Sequence, residues 1–247
     1  MTANFNPKTT SMAGTSISLI IGVPIAIGFW SLVMFGPIDV PIMKRYLGHP
    51  VEFVEIVMFS CAVTALIFKL SKIIKEKSAL RHTLIPVWDN IQVHPLETKT
   101  LLENLNTATL QTKKTIVFRR FLNVLQFVKQ RGSAEDLDDQ LRNFTDADSI
   151  EFEGSFGLTR FITWAIPILG FLGTVLGITG AISGVTPEML EKSMSTVTDG
   201  LALSFDATAL ALALTMVCMF FSFLVEKSGD QFLENLEHSI DKNLAHR

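Results

Sequence analysis

The stretch Phe161–Val185 reads FITWAIPILGFLGTVLGITGAISGV. It carries no charged residue, and about 20 consecutive apolar residues cross the hydrocarbon core of a bilayer as a helix. Thr163, Pro167, Gly170, Thr174, Gly177, Ala181 and Gly184 recur in it at alternating steps of four and three, which sets them along one helical face. The bulky residues Ile168, Leu172, Val175, Leu176 and Ile178 fall elsewhere. A helix surrounded by lipid needs no stripe of small residues, whereas one packed closely on other helices does. The threonines add hydroxyls to that stripe, where a polar path can run.

A second stretch, Leu201–Val225, repeats the rhythm with Ser204, Thr208, Ala211, Thr215, Cys218 and Ser222. Two spans with hydroxyl-bearing seams fit a shared pore wall. Periodicity by itself favours plain helix packing, because small-residue seams recur in membrane bundles generally. It leaves both readings open.

The 247-residue chain is 48% hydrophobic, with a mean hydropathy of +0.38, and its apolar residues are clustered. This is the composition of an integral membrane protein. The net charge of −3 argues neither for nor against nucleic acid, and no basic run interleaved with aromatics occurs outside the membrane-flanking positions and the insert described below, so no nucleic-acid partner is expected. Cys61 and Cys218 lie in separate spans without CxxC spacing and read as small buried residues. The first span lacks a strongly basic flank and an A-x-A cleavage site, so it is expected to stay in the mature protein.

Taken in order, residues 1–15 read as a short flexible tail, and the first span covers about Ile17–Phe35. A proline-rich connector, 36–50, follows. The second span covers about Phe53–Phe68, with Glu52 placed at headgroup level and Glu55 about one turn further in, both as interfacial or loop-capping acids. Residues 69–81 hold Lys69, Lys72, Lys75, Lys77 and Arg81 against Glu76, whereas residues 37–55 hold Lys44 and Arg45 against Asp39, Glu52 and Glu55, and the loop 184–199 holds Lys192 against Glu188, Glu191 and Asp199. Basic residues mark the cytoplasmic side. Residues 69–160 are therefore expected in the cytoplasm, with both short loops outside and both termini inside.

Within that insert, helical patterns occur near 97–110 and 113–130. The second places Phe118, Phe121, Leu122, Leu125 and Val128 on one face, flanked by its basic residues. Ser133 is placed to cap a further short helix. The acids Glu135, Asp136, Asp138 and Asp139 read as a solvated helix face. Neither they nor the five histidines have metal-ligand spacing. No nucleophile elbow, phosphate loop or paired catalytic acids occur, so the reading is neither an enzyme nor a cofactor protein. After the fourth span, Phe232, Leu233, Leu236, Ile240 and Leu244 predict an amphipathic helix. The fold class is all-α: an integral membrane bundle of four transmembrane helices with a helical cytoplasmic insert. Its parts are a tail and spans one and two (1–68), the insert (69–160), spans three and four (161–225) and a terminal helix (226–247).

Asp206 is the charge inside the fourth span. An Asp at mid-membrane costs roughly 2.5–3.5 kcal/mol on insertion scales, so such a residue faces a bundle interior or a wet cavity. It lies two residues from Ser204 and from Thr208, about 160° around the helix from that seam. It reads either as part of an ion path or as an interhelical contact, for example to Arg160.

The run WAIPILGFLGTVLGITGAI, Trp164–Ile182, resembles the central membrane motif of the MotA/TolQ/ExbB proton-channel family, and GLALSFDATALALAL, Gly200–Leu214, is similar to its last-span pattern. The resemblance covers about residues 155–226 well and the remainder in architecture. The four-span layout is similar to MotA, the motif wording closer to ExbB and TolQ. The resemblance implies a bacterial inner-membrane protein, multi-pass, embedded in lipid. It implies a homo-oligomeric ring, typically five copies, around two copies of a single-span partner whose membrane aspartate carries the ion. That ion is a proton, with Na+ as the alternative. Thr174 and Thr208 match the family's pore threonines. With them, Ser204, Thr215 and Asp206 form the expected ion path, and Pro167, Gly170, Gly177, Ala181 and Gly184 the packing seam. ExbB-like chains carry a glutamate five residues before the last-span threonine; here Leu203 stands there, so the partner's carboxylate is the implied carrier. The implied function is conversion of ion-motive force into mechanical work. The alternative is a non-conducting scaffold whose seams only pack helices.

Overall fold

Apolar length determines the long elements. In the computed structural model, which describes residues 7–35, 50–81, 113, 115–131, 137–183 and 190–242, four helices are long and apolar enough to cross a membrane. They are α1 (Pro7–Phe35), α2 (Pro50–Arg81), α5 (Gly157–Ser183) and α6 (Leu190–Ile240). Between them lie α3 (Ile116–Arg131) and α4 (Leu137–Gly154). Among the described residues there is no strand. The protein is an all-helical, multi-pass membrane protein.

Several boundaries differ from the sequence reading. The tail expected over 1–15 is helical from Pro7, a residue whose fixed φ and missing N–H suit a first helical turn. The last helix begins at Leu190, not near Leu201, and runs unbroken to Ile240. The pattern at 97–110, the cap at Ser133 and the acids Glu135 and Asp136 lie outside the described residues.

Two compact units emerge: Met1–Phe68 with Ser155–Leu224, and Lys69–Gly154 with Val225–Arg247. The first holds the apolar helical stretches. Its core is built of small and branched side chains: Cys61 and Ala62 of α2, Ile162 and Ile166 of α5, and Ala211 and Cys218 of α6. Both cysteines are free thiols buried in this core. A methyl group on Gly22 would lie 2.7 Å from the Cys61 Cα, so α1 and α2 approach backbone to backbone. Ser60 ties the same pair together by donating to the Gly22 carbonyl at 3.0 Å. Outward-facing residues, among them Ile20, Trp164, Phe171 and Met216, leave the unit an apolar exterior.

The second unit follows the rules of a protein in water. Val117, Phe118, Phe121, Val124 and Leu125 of α3 are buried, as are Leu137 and Leu141 of α4 and Phe232, Leu233, Leu236 and Ile240 of α6. The basic residues flanking the α3 face are held in ion pairs. Arg120 meets Asp148 through Nε at 3.0 Å and a second guanidinium nitrogen, and Arg119 reaches Asp148 and Glu151, each at 3.3 Å. The first turn of α3 is capped twice. Thr115 Oγ1 accepts from the Phe118 N–H at 3.2 Å, and the Glu76 carboxylate accepts from Ile116 N–H at 2.9 and 3.0 Å.

Candidate functional site

Glycines bring α5 and α6 together. A methyl group on Gly170 would collide with the Ala211 side chain and stand 3.3 Å from the Thr208 Cα. One on Gly177 would collide with Ser204 Oγ, and one on Gly200, on α6, would stand 2.7 Å from the Ala181 Cβ. Gly173 lies against Ala207, with Val51 of α2 also close, at 3.1 and 3.2 Å from a would-be Cβ. Small residues on both helices allow this approach, the usual means of helix association where lipid removes the hydrophobic drive.

At that contact the two threonines singled out by sequence meet. The hydroxyls of Thr174 and Thr208 hydrogen-bond to each other. Thr208 Oγ1 also lies 2.9 Å from the Gly170 carbonyl, while Thr174 Oγ1 lies 3.2 Å from both the Gly170 and Ser204 carbonyls. A hydroxyl has one proton to donate and two lone pairs. This cluster of two protons and four acceptors therefore has several donor arrangements of similar geometry. It can reorient towards an incoming donor or acceptor without holding a fixed charge.

The other candidates are arranged around this pair. Ser204 is buried and donates to the Gly200 carbonyl at 2.7 Å. Thr215 is buried two turns further along α6, and its hydroxyl has no hydrogen-bond partner among the described residues. Asp206 is half-buried, on a different face of α6 from Thr208. Pro167 and Ala181 are half-buried on α5, and Gly184 lies outside the described residues.

Sequence reading missed two features. Gly173, Gly200 and Ala207 join the close contact although they sit off the marked stripes. Their signal was only their size. The reading of Glu52 and Glu55 as interfacial acids concerns their depth and gives no sign that protein covers both side chains, which are 0% exposed. The cause is the register of α2. Val51 rests on Gly173, and Glu55, four residues on, shares its face and turns inward with it.

Comparison with curated proteins and with solved structures returned no match. A family model did match, described as the MotA/TolQ/ExbB proton channel family, over residues 102–238, more than half of the chain and including both α5 and most of α6. That family is one of membrane channels, not of enzymes. With four membrane-length helices and this match, the chain belongs to the MotA/TolQ/ExbB proton channel family.

Proposed function

We propose that this chain is the ring-forming subunit of a proton-driven motor, and that Thr174 and Thr208 line the ion path. The observation that carries this reading is the hydroxyl pair on a glycine-packed seam. In the working assembly, five copies surround two copies of a single-span partner with an aspartate inside the membrane. That aspartate is costly when charged and cheap when protonated, and threonine hydroxyls solvate either form. The driving term is about 2.3 kcal/mol per charge for each 100 mV of membrane potential. Hydroxyls and carbonyls also coordinate Na+, so proton is the first choice and sodium the competitor. Ser204 and Thr215 extend the polar stripe of α6. Asp206 sits apart from the pair, and its role in the ion path is secondary to that of the partner's carboxylate.

The bias of basic residues towards 69–81 supports a cytoplasmic second unit and cytoplasmic termini in a bacterial inner membrane. Co-purification from native membranes tests the assembly, with a single-span partner and a ring stoichiometry as the expected result. Proton flux in proteoliposomes holding that complex tests the pore. Thr174→Val and Thr208→Val should each abolish flux while the complex still assembles. Wild-type flux in both variants would leave only the scaffold reading, in which the seam packs helices and conducts nothing.

A further inference from the structure

We propose that the Glu55 carboxyl is a proton-binding site inside the membrane unit, with Glu52, about one helical turn away, as the group that shares its proton. Both side chains are 0% exposed. Both carboxylate oxygens of Glu55 are buried and have no hydrogen-bond partner among the described residues. Residues three apart on a helix are neighbours, with Cβ atoms about 5–6 Å apart, so ionising both sets two like charges side by side in a low-dielectric interior. A carboxylate removed from water without a donor is strongly disfavoured, and a bound proton removes the penalty.

Among the described residues, the neighbouring apolar stretches offer no basic group to neutralise Glu55. Residues 18–35 of α1 and 161–183 of α5 contain no ionisable side chain. In the membrane part of α6 the charged groups are Asp199 and Asp206, both acids. The connector 36–49 contains Asp39, Lys44, Arg45 and His49 and lies outside the described residues. A metal ion is the less suitable occupant. Hard divalent cations take six or more oxygen ligands, and among the described residues no three His, Cys, Asp or Glu side chains converge.

Position gives the site meaning. Val51 touches Gly173, the residue before Thr174, and Glu55 lies on the same face of α2, roughly 6 Å further along the axis. The subunit thus has a protonatable group of its own near the hydroxyl pair, on a helix that the sequence motifs do not mark. This holds whether or not the channel drives a motor.

Infrared spectroscopy of the full-length protein in lipid nanodiscs, without partner or ion gradient, tests it separately from the motor reading. At neutral pH the wild type should show the carbonyl stretch of a protonated carboxylic acid. That band should shift in D2O and fade as the pH is raised. Glu55→Gln keeps the size and neutrality of the protonated acid, so it should fold normally and lose the band. Glu52→Gln should move the band, and Glu55→Asp should retain one. Absence of the band at neutral pH, or its survival in Glu55→Gln, would overturn the proposal. So would a rise in wild-type melting temperature with Ca2+ or Mg2+ that Glu55→Gln lacks, because the site would then hold a cation.

Discussion

The two units solve the same problem, holding helices together, with opposite materials. In the membrane unit α5 meets α6 through Gly170, Gly173 and Gly177, with hydroxyls bonded across the contact. In the second unit α3 and α4 bury Phe, Leu and Val side chains and are joined by the Arg120–Asp148 ion pair. Solvent accounts for the difference. Bulky apolar side chains bind helices in water because burial removes them from it, but in lipid they gain little by changing neighbours. Backbone proximity and short hydrogen bonds remain, and both require small residues. Charges invert likewise: the second unit pairs Arg120 with Asp148, whereas the membrane unit buries Glu55 with neither carboxylate oxygen hydrogen-bonded among the described residues.

This contrast predicts where substitutions hurt most. Gly170→Leu should have the largest effect. Its side chain would have to displace Ala211 and push α6 away, and such overpacking costs about 3 kcal/mol or more. Loss of a folded, monodisperse species in detergent is the expected result. Normal yield and melting temperature would show that α5 and α6 are not closely packed in the bilayer.

Arg120→Ala comes next. Arg120 is nearly buried and also reaches the Leu141 carbonyl at 3.3 Å, the Thr145 hydroxyl at 3.2 Å and the Phe144 ring. Removing it leaves Asp148 without its main partner, at about 3–5 kcal/mol. Arg119→Ala should cost less than about 1 kcal/mol, because Arg119 is 29% exposed and water screens its pairs. Thermal unfolding followed at α3 reads both. Equal losses would mean the packing of α3 on α4, not the ion pair, dominates that unit.

The extent to which each region was legible in the sequence follows the same division. Four apolar stretches and the four-three rhythm of Gly170, Thr174, Gly177 and of Ser204, Thr208, Ala211 were plain, because helix packing in lipid selects residue size and size is written locally. The apolar face of α3 was plain for the same reason, through its helical period. Which faces meet was not. Glu55 reads as interfacial because it lies about one turn past Glu52 at the start of its span, and its cover by protein follows only from the contact of Val51 with Gly173. The Arg120–Asp148 pair joins residues 28 apart, and nothing local in either segment marks it. The start of α6 at Leu190 was obscured by its acids and by Gly200, which read as loop but sits opposite Ala181.

A double-mutant cycle on the membrane seam should give a smaller effect than Gly170→Leu or Arg120→Ala. Thr174→Val and Thr208→Val each remove a hydroxyl of nearly unchanged shape, at about 1 kcal/mol apiece. Their double variant should fall short of the sum by about 1 kcal/mol, since the first change already removes the shared bond. Strict additivity would mean that the hydroxyls bond to the Gly170 and Ser204 carbonyls but not to each other. It would also weaken the case for a shared ion path.

The smallest effect is expected at Glu76, beyond the span expected over 53–68, where burial and hydrogen bonding oppose each other. Burial pushes this carboxyl above its ordinary range, against the pull of the backbone donors Ile116 and Val117 and of Lys72 and Arg119. A folded-state pKa above the unfolded one means that the protonated form favours folding. That stabilisation is complete below the ordinary glutamate value, about 4.3, and is lost as the pH rises through the folded-state value. Glu76→Gln keeps an acceptor for the Ile116 N–H and cannot ionise. The melting temperature of wild type minus that of Glu76→Gln should therefore fall as the pH is raised from acid towards neutral. A difference that rises over that range would mean that the helix terminus holds Glu76 as an anion, as the N-terminal dipole of α3 favours.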